Sequence, residues 1–202
     1  ELFHVPGIYR RGTSRDNPVE AQHVAERVLH HLSTRPDASL GVVTFSVAQA
    51  DAIQNDLDRA LDERPDLAAQ LDGDRLNGFF VKSLESVQGD ERDVMIFSIG
   101  YGPDENGKVT TNFGALNRPK GWRRLNVAVT RARQRVEVLS SVRAGDVPPS
   151  TNESVRHLVG YLDYAVRGPA ALALDLGPSG LGTDSPFEDS VIDAIRAMGY
   201  DV

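Results

Sequence analysis

Apolar and polar residues alternate in blocks along this chain, and the blocks predict alternating strands and helices. The stretch NPVEAQHVAERVLHHL from Asn17 reads as a helix start: Asn17 can cap, Pro18 suits the first turn, and Glu20 stands where a capping box needs an acid. LGVVTFS (40–46) is a short apolar, β-branched run that predicts a strand. A helix follows it, because Ala50, Ile53, Leu57 and Leu61 recur at intervals of three and four. GFFVKS (78–83), DVMIFSIG (93–100) and RVEVLSS (135–141) predict three more strands, with a helix at about 122–133 between the last two. Strands without polar alternation, interleaved with helices, point to an α/β fold whose parallel sheet is covered on both faces.

The pattern changes after GDVPPSTNES. Residues 153–167 predict a separate amphipathic helix with Val155, Leu158, Val159, Leu162 and Val166 on one side. GPAALALDLGPSGLGTDSP (168–186) has the composition of a linker. SPFEDSVIDAIRAMGY then starts a new helix, with Ser185 as cap, Pro186 in the first turn and Glu188 completing the box. Its stripe of Val191, Ile195 and Met198 finds nothing later in the chain to bury it, as at the opening of a domain whose remainder is missing. The expected organisation is a main domain over 1–147, a flanking helix over 148–168, a linker over 169–184 and a truncated domain from 185 to 202.

Composition narrows the class. With 202 residues, 40% apolar and 25% charged, the chain reads as globular. It has no apolar run of 18 or more residues for a membrane span and no visible secretory signal. The absence of cysteine excludes disulfides and thiolate metal sites and fits a reducing cytoplasm, the expected location. The first residue is Glu rather than Met, as in a fragment. The net charge is −7, yet residues 118–143 carry eight Arg or Lys against Glu137 alone. Residues 51–74 hold eight acids against Arg59 and Arg64. Such asymmetry predicts an anion-facing strip on an acidic body.

GPDENGKV (102–109) follows the phosphate-loop spacing G-x-x-x-x-G-K but has Val109 in place of the magnesium-binding Ser or Thr. The residues after Gly107 lack a helical pattern, and Asp104 and Glu105 would repel a phosphate. A solvated turn is expected there, so another domain must supply most of any nucleotide site. The histidines offer no metal site: His23 and His30 share a helical face without a third ligand.

Two stretches carry sharper chemistry. In SLESVQGDERDVMIFS (83–98), Gly89 permits a tight turn or a close approach to a ligand, and Glu91 offers an acceptor for a ribose hydroxyl. In RRLNVAVTRARQRV (123–136), a helix would put Arg124 and Arg131 on one face, with Arg135 a turn further on. A permanently charged, fork-shaped donor suits the stabilisation of a transferring phosphoryl group.

In this order and spacing the two stretches resemble motifs V and VI of superfamily 1 helicases, in particular the Upf-like branch. The resemblance covers residues 1–145 and takes in NPVEA and GVVTFSVAQADAI, where Gln49 matches a recurring Gln. It is closer still to bacterial helicase-like proteins that end in a very-short-patch-repair-type endonuclease domain, whose opening SPFEDSVIDAIRAMGYDV resembles. The resemblance implies a three-layer RecA-like domain of the P-loop NTPase type. It implies Arg131 as the arginine finger, Arg124 as support for the phosphate side, and Glu91, Gln88 and Gly89 at the nucleotide. Ser83, Gln49 and Thr130 are implied at the nucleic acid, DNA ahead of RNA. ATP and Mg2+ would be bound mainly by a preceding RecA-like domain, so the fragment alone is expected to hold neither and to show no ATPase activity. The following nuclease-like domain is the other implied partner. Two readings of another class stay open: a degenerate helicase fold that only binds nucleic acid or protein, and a nuclease in which Glu188 is the first acid of a metal centre.

Overall fold

The computed structural model describes residues 1–71, 78–87 and 89–173. Residues Glu1–Gly168 form one compact unit; of the second, Pro169–Val202, only the short helix Ala170–Ala173 lies among the described residues. The expected linker over 169–184 thus begins with a short helical turn, and its residues from 174 on, the terminal helix and Glu188 lie outside the described residues.

In chain order the main unit contains β1 (Leu2–His4), α1 (Pro18–Thr34), β2 (Leu40–Thr44), α2 (Val47–Asp62), α3 (Pro65–Leu71), β3 (Phe80–Ser83) and β4 (Arg92–Ser98). A 3-10 turn at Gly114–Asn117, α4 (Gly121–Val129), β5 (Ala132–Ser140) and α5 (Glu153–Arg167) complete it. The five strands pair only in parallel, in the order β1-β5-β4-β2-β3. This is the expected α/β architecture, a parallel sheet between two helical layers in the manner of a RecA-like domain.

The central strands are uninterrupted by polar residues over Leu40–Val43 and Val94–Phe97 because each of their faces meets a helix layer. In β4, Val94 and Ile96 join Val24, Val28, Ile53 and Leu57 of α1 and α2, while Met95 and Phe97 join Phe113, Leu116, Leu125, Leu158 and Leu162. The helix predicted at 153–167 is thus built into the second of these cores through Val155, Leu158 and Leu162. Val166 departs from the predicted stripe and is exposed.

Close packing is tightest where α4 begins. A Cβ on Gly121 would stand 1.9 Å from the Leu116 carbonyl oxygen, a backbone atom that cannot swing away. Gly121→Ala is therefore expected to destabilise by about 1–3 kcal/mol, lowering the melting temperature by roughly 5 °C, as a thermal unfolding curve would register. An unchanged midpoint would mean that the 114–121 turn yields more readily than its packing indicates.

The helix entry at Asn17 corrects one expectation. The Asn17 side chain does cap α1, its Oδ1 accepting the Glu20 amide at 3.2 Å. The Glu20 carboxylate, however, does not return to the Asn17 amide, which donates instead to Gln49 Oε1 at 2.8 Å. Glu20 is fully buried and reaches across to the ends of β4 and β5. Its Oε1 accepts from Ser98 Oγ at 2.7 Å and the Gly100 amide at 2.6 Å. Its Oε2 accepts from the Ser141 amide at 3.1 Å and Ser141 Oγ at 3.0 Å. Strand ends offer unpaired donors, and a carboxylate satisfies more of them than a cap would.

Candidate functional site

A parallel sheet collects all strand starts at one edge and all strand ends at the other, which sorts the predicted site residues into two groups. Arg92 opens β4 and pairs with Ala132, the first residue of β5. Glu91 and Arg131, each one position before its strand, are consequently side by side at the amino edge. The Arg92 amide donates to the Arg131 carbonyl at 3.1 Å. Arg131 Nη1 donates to Glu91 Oε1 at 3.2 Å, and its Nε to the Val127 carbonyl at 3.2 Å. Arg133 Nε lies 3.8 Å from the other Glu91 oxygen. The Arg131 side chain keeps 25% of its surface exposed. Both bonds are made by the guanidinium itself, through Nε and Nη1, which fixes its plane at this edge.

The turn ahead of β4 is stiffened from within by Arg92. This buried side chain donates to the Gly78 carbonyl at 3.0 and 2.6 Å and to the Glu91 carbonyl at 2.7 Å, and its guanidinium lies 4.7 Å from the Phe80 ring centroid. A buried Arg needs such carbonyl partners to offset the loss of water. Asp93 beside it accepts from the Ser39 hydroxyl at 2.7 Å and the Ser39 amide at 2.9 Å. These bonds hold its carboxyl below the usual carboxylate range.

The predicted helix over 122–133 ends at Val129. Arg131 therefore does not share a helical face with Arg124, and Arg135 lies within β5 rather than one helical turn on. Arg124 is half-buried on α4 and has no hydrogen-bond or ion-pair partner among the described residues. Thr130 is exposed at the end of α4, its hydroxyl donating to the Val127 carbonyl at 2.9 Å.

Ser83 belongs to the opposite edge. It closes β3 opposite Thr44, with its Oγ 3.3 Å from Ser86 Oγ. Gly89 has φ +93 with open space where a side chain would project, a backbone conformation that side-chain-bearing residues rarely adopt. Gln88 lies outside the described residues. Gln49, expected at nucleic acid, is fully buried. Its Nε2 donates to the Asn17 carbonyl at 3.3 Å and Ser98 Oγ at 3.1 Å, so its amide is spent inside the fold.

The GPDENGKV segment is a turn closed on itself. Asp104 Oδ1 accepts the Asn106 amide at 3.0 Å and the Lys108 amide at 2.9 Å, while Gly107 adopts φ +76. The protein's own carboxylate thus takes amides that a phosphate would need.

The basic strip is partly neutralised. Arg118 pairs with Glu85 at 2.6 Å, and Arg135 with Glu1 at 2.5 Å and Glu137 at 3.2 Å. Sequence reasoning missed the buried cluster of Asn17, Glu20, Gln49, Ser98 and Ser141. Its available signal was that Ser98 and Ser141 each stand where an apolar strand run stops, so both serines end at the same edge.

Residues 7–143 match a family model described as an AAA domain. An uncharacterized ATP-dependent helicase of Mycoplasma genitalium is 38% identical over 168 residues, covering 79% of this chain and 14% of that protein. Its homolog in Mycoplasma pneumoniae is 37% identical over 167 residues, with the same 79% and 14% coverage. A regulator of nonsense transcripts 1 homolog of Arabidopsis thaliana is 31% identical over 163 residues, covering 80% of this chain and 12% of that protein. The chain thus spans 14% or less of the length of these curated relatives. The crystal structure of the C-terminal domain of a possible DNA helicase from Lactobacillus plantarum aligns over 70% of this chain and 76% of its own, at 16% identity and a TM-score of 0.38.

Proposed function

The chain belongs to the AAA domain family and is a superfamily 1 helicase C-terminal domain; from that premise we propose that it supplies one wall of an ATP cleft whose other wall is a preceding RecA-like domain. Arg131 is the arginine finger, Glu91 meets the ribose, and Gln88 and Gly89 link the cleft to the nucleic-acid groove. Arg124 supports the phosphate side. The observation that carries this reading is the pairing of Glu91 and Arg131 at the amino edge, with a quarter of the Arg131 side chain still exposed. A guanidinium held in place by its own hydrogen bonds delivers charge to a developing phosphoryl transition state without reorganising.

Magnesium does not fit among this chain's own groups at that edge. Glu91 is paired with Arg131 and Arg133, and Asp93 is bonded to Ser39. The acids that hold the metal are accordingly assigned to the preceding domain. Ser83, at the opposite edge, contacts the nucleic-acid backbone, DNA ahead of RNA, and Gln49 braces that edge from inside. Thr130 stands at the nucleotide edge beside Arg131 rather than with Ser83. The segment SPFEDSVIDAIRAMGYDV opens a nuclease-like domain, to be tested by magnesium-dependent cleavage in the full protein. No helix among the described residues is long and apolar enough to cross a membrane.

The deciding experiment compares ATP hydrolysis by the 202-residue chain and by the full-length protein in the presence of single-stranded DNA. Hydrolysis by the full-length protein and none by the chain is the expected result. A full-length protein that binds DNA without hydrolysing ATP would instead make this domain a binding module.

A further inference from the structure

A narrow slot of about 290 Å3 runs between α4 and α5, lined by Trp122, Leu125, Asn126, Val129, His157 and Tyr161. The lining follows helical spacing: Trp122, Leu125, Asn126 and Val129 share one side of α4, and His157 and Tyr161 stand one turn apart on α5. Its chemistry is that of a flat, aromatic guest. The Trp122 and His157 rings lie 5.5 Å apart at 35°, and the Arg123 guanidinium sits 5.4 Å from the Trp122 ring centroid. Asn126 is exposed, and among the described residues its carboxamide makes no hydrogen bond, which leaves a donor and an acceptor at the rim.

The charge around the slot has one sign in excess. Lys120, Arg123 and Arg124 lead into α4 and have no ion-pair partner among the described residues. Of the acids of α5, Asp163 pairs with Arg167, and Glu153, 3.9 Å from Nε2 of the slot's own His157, is the single carboxylate set against these three cations. An aromatic slot rimmed by unpaired cations matches an aromatic ring carrying a phosphate, and it is a poor match for an apolar protein segment, which needs no cations. Base stacking on such side chains contributes about 1–3 kcal/mol per base.

We propose that this slot receives an unstacked nucleobase of single-stranded nucleic acid, with Arg123 and Lys120 on the adjoining phosphates and the Asn126 carboxamide on the base edge. The inference rests on the nucleic-acid reading above and adds a contact point on the helical layer formed by α4 and α5.

The chain has one tryptophan, so its emission reports on the slot directly. A fluorescently labelled oligothymidylate is titrated into the chain while Trp122 emission and oligonucleotide anisotropy are followed together. The expected result is quenching of Trp122 in step with the anisotropy rise. Arg123→Glu and His157→Ala, each with an unchanged circular dichroism spectrum, are expected to weaken both signals about tenfold, within the range of losing one phosphate contact or one stacked base. Thymidine monophosphate is the second arm, and it should quench only at far higher concentration. An anisotropy rise with Trp122 emission unchanged would overturn the slot while leaving the nucleic-acid reading intact. Equal quenching by the mononucleotide would overturn the strand assignment. Absence of any anisotropy rise also overturns the proposal, and ATP hydrolysis by the full-length protein then shows independently whether the motor reading stands.

Discussion

Arg131→Ala in the full-length protein is expected to lower ATP turnover by about 10³-fold or more while changing ATP affinity only a few-fold. The asymmetry follows from where the charge acts. A guanidinium at the γ-phosphate gains most when negative charge redistributes in the transition state, whereas on the reading proposed above ground-state binding falls to a preceding domain. Arg131→Lys is expected to recover little, because an ammonium cannot reproduce the planar fork and would reach a different point. The substitution should leave folding nearly intact: the Arg131–Glu91 pair is partly exposed, and such pairs contribute about 1 kcal/mol or less. Phosphate release gives turnover, and a fluorescent ATP analogue gives affinity. Turnover unchanged in the alanine variant would remove the arginine-finger assignment, and a comparable loss of binding would make Arg131 a ground-state ligand.

The largest effect on stability is expected at Glu20. Both hydroxyls facing it have their directions set from behind: Gln49 Nε2 donates to Ser98 Oγ, and Asn17 Nδ2 donates to Ser141 Oγ at 2.7 Å. Each hydroxyl must then donate to Glu20, beside two amides that can only donate. In Glu20→Ala the four donors lose their acceptors whichever protonation state the carboxyl holds, so buried polar groups are left without partners. The expected cost is about 3–5 kcal/mol, or a fall in melting temperature of roughly 10 °C. A midpoint within about 2 °C of the parent would show that the cluster repacks around the missing carboxyl.

The same carboxyl gives stability a pH dependence. Burial pushes Glu20 up to about 7 from 4.5, with the bonds from Gly100, Ser98 and Ser141 working against that rise. A folded-state value above the unfolded one means that the folded state holds the proton longer. This group's contribution is therefore complete below about pH 4.5 and is lost as pH rises toward 7, amounting to about 3 kcal/mol in all. Urea unfolding of the parent between pH 5 and 8 should show this downward slope, and the Glu20→Ala variant should show a flatter one. Equal slopes would assign the dependence to other groups.

The sheet was legible in the sequence because its central strands are buried on both faces, which leaves runs such as LGVV and VMIF with no polar interruption. The reach of α4 was not. Thr130, Arg131 and Ala132 carry nothing that stops a helix, and the Arg and Gln after them are good helix formers. What ends α4 is the pairing of Ala132 with Arg92, forty residues earlier in the chain, a tertiary contact that local propensity cannot register. Glu20 failed for a related reason. An acid three residues after a cap has the same spacing whether it bonds the cap or the ends of distant strands. Gln49 shows the opposite lesson: its place in the motif order was readable, but whether its amide faces solvent or Asn17 depends on how two helix starts meet over the sheet. Glu91 and Arg131 could be named from motif order, and their adjacency follows from the parallel pairing of β4 with β5.

The single bond from the Arg92 amide to the Arg131 carbonyl joins two loops that the chain visits far apart, and the Glu91 ion pair spans the same gap. With the Arg92 guanidinium against Phe80 and the Gly78 carbonyl, both loops are tied to β3 as well as to each other. The turn that carries Gly89 therefore has a bonded route to the Arg131 backbone and side chain, much as two arms of a rocker share one pivot.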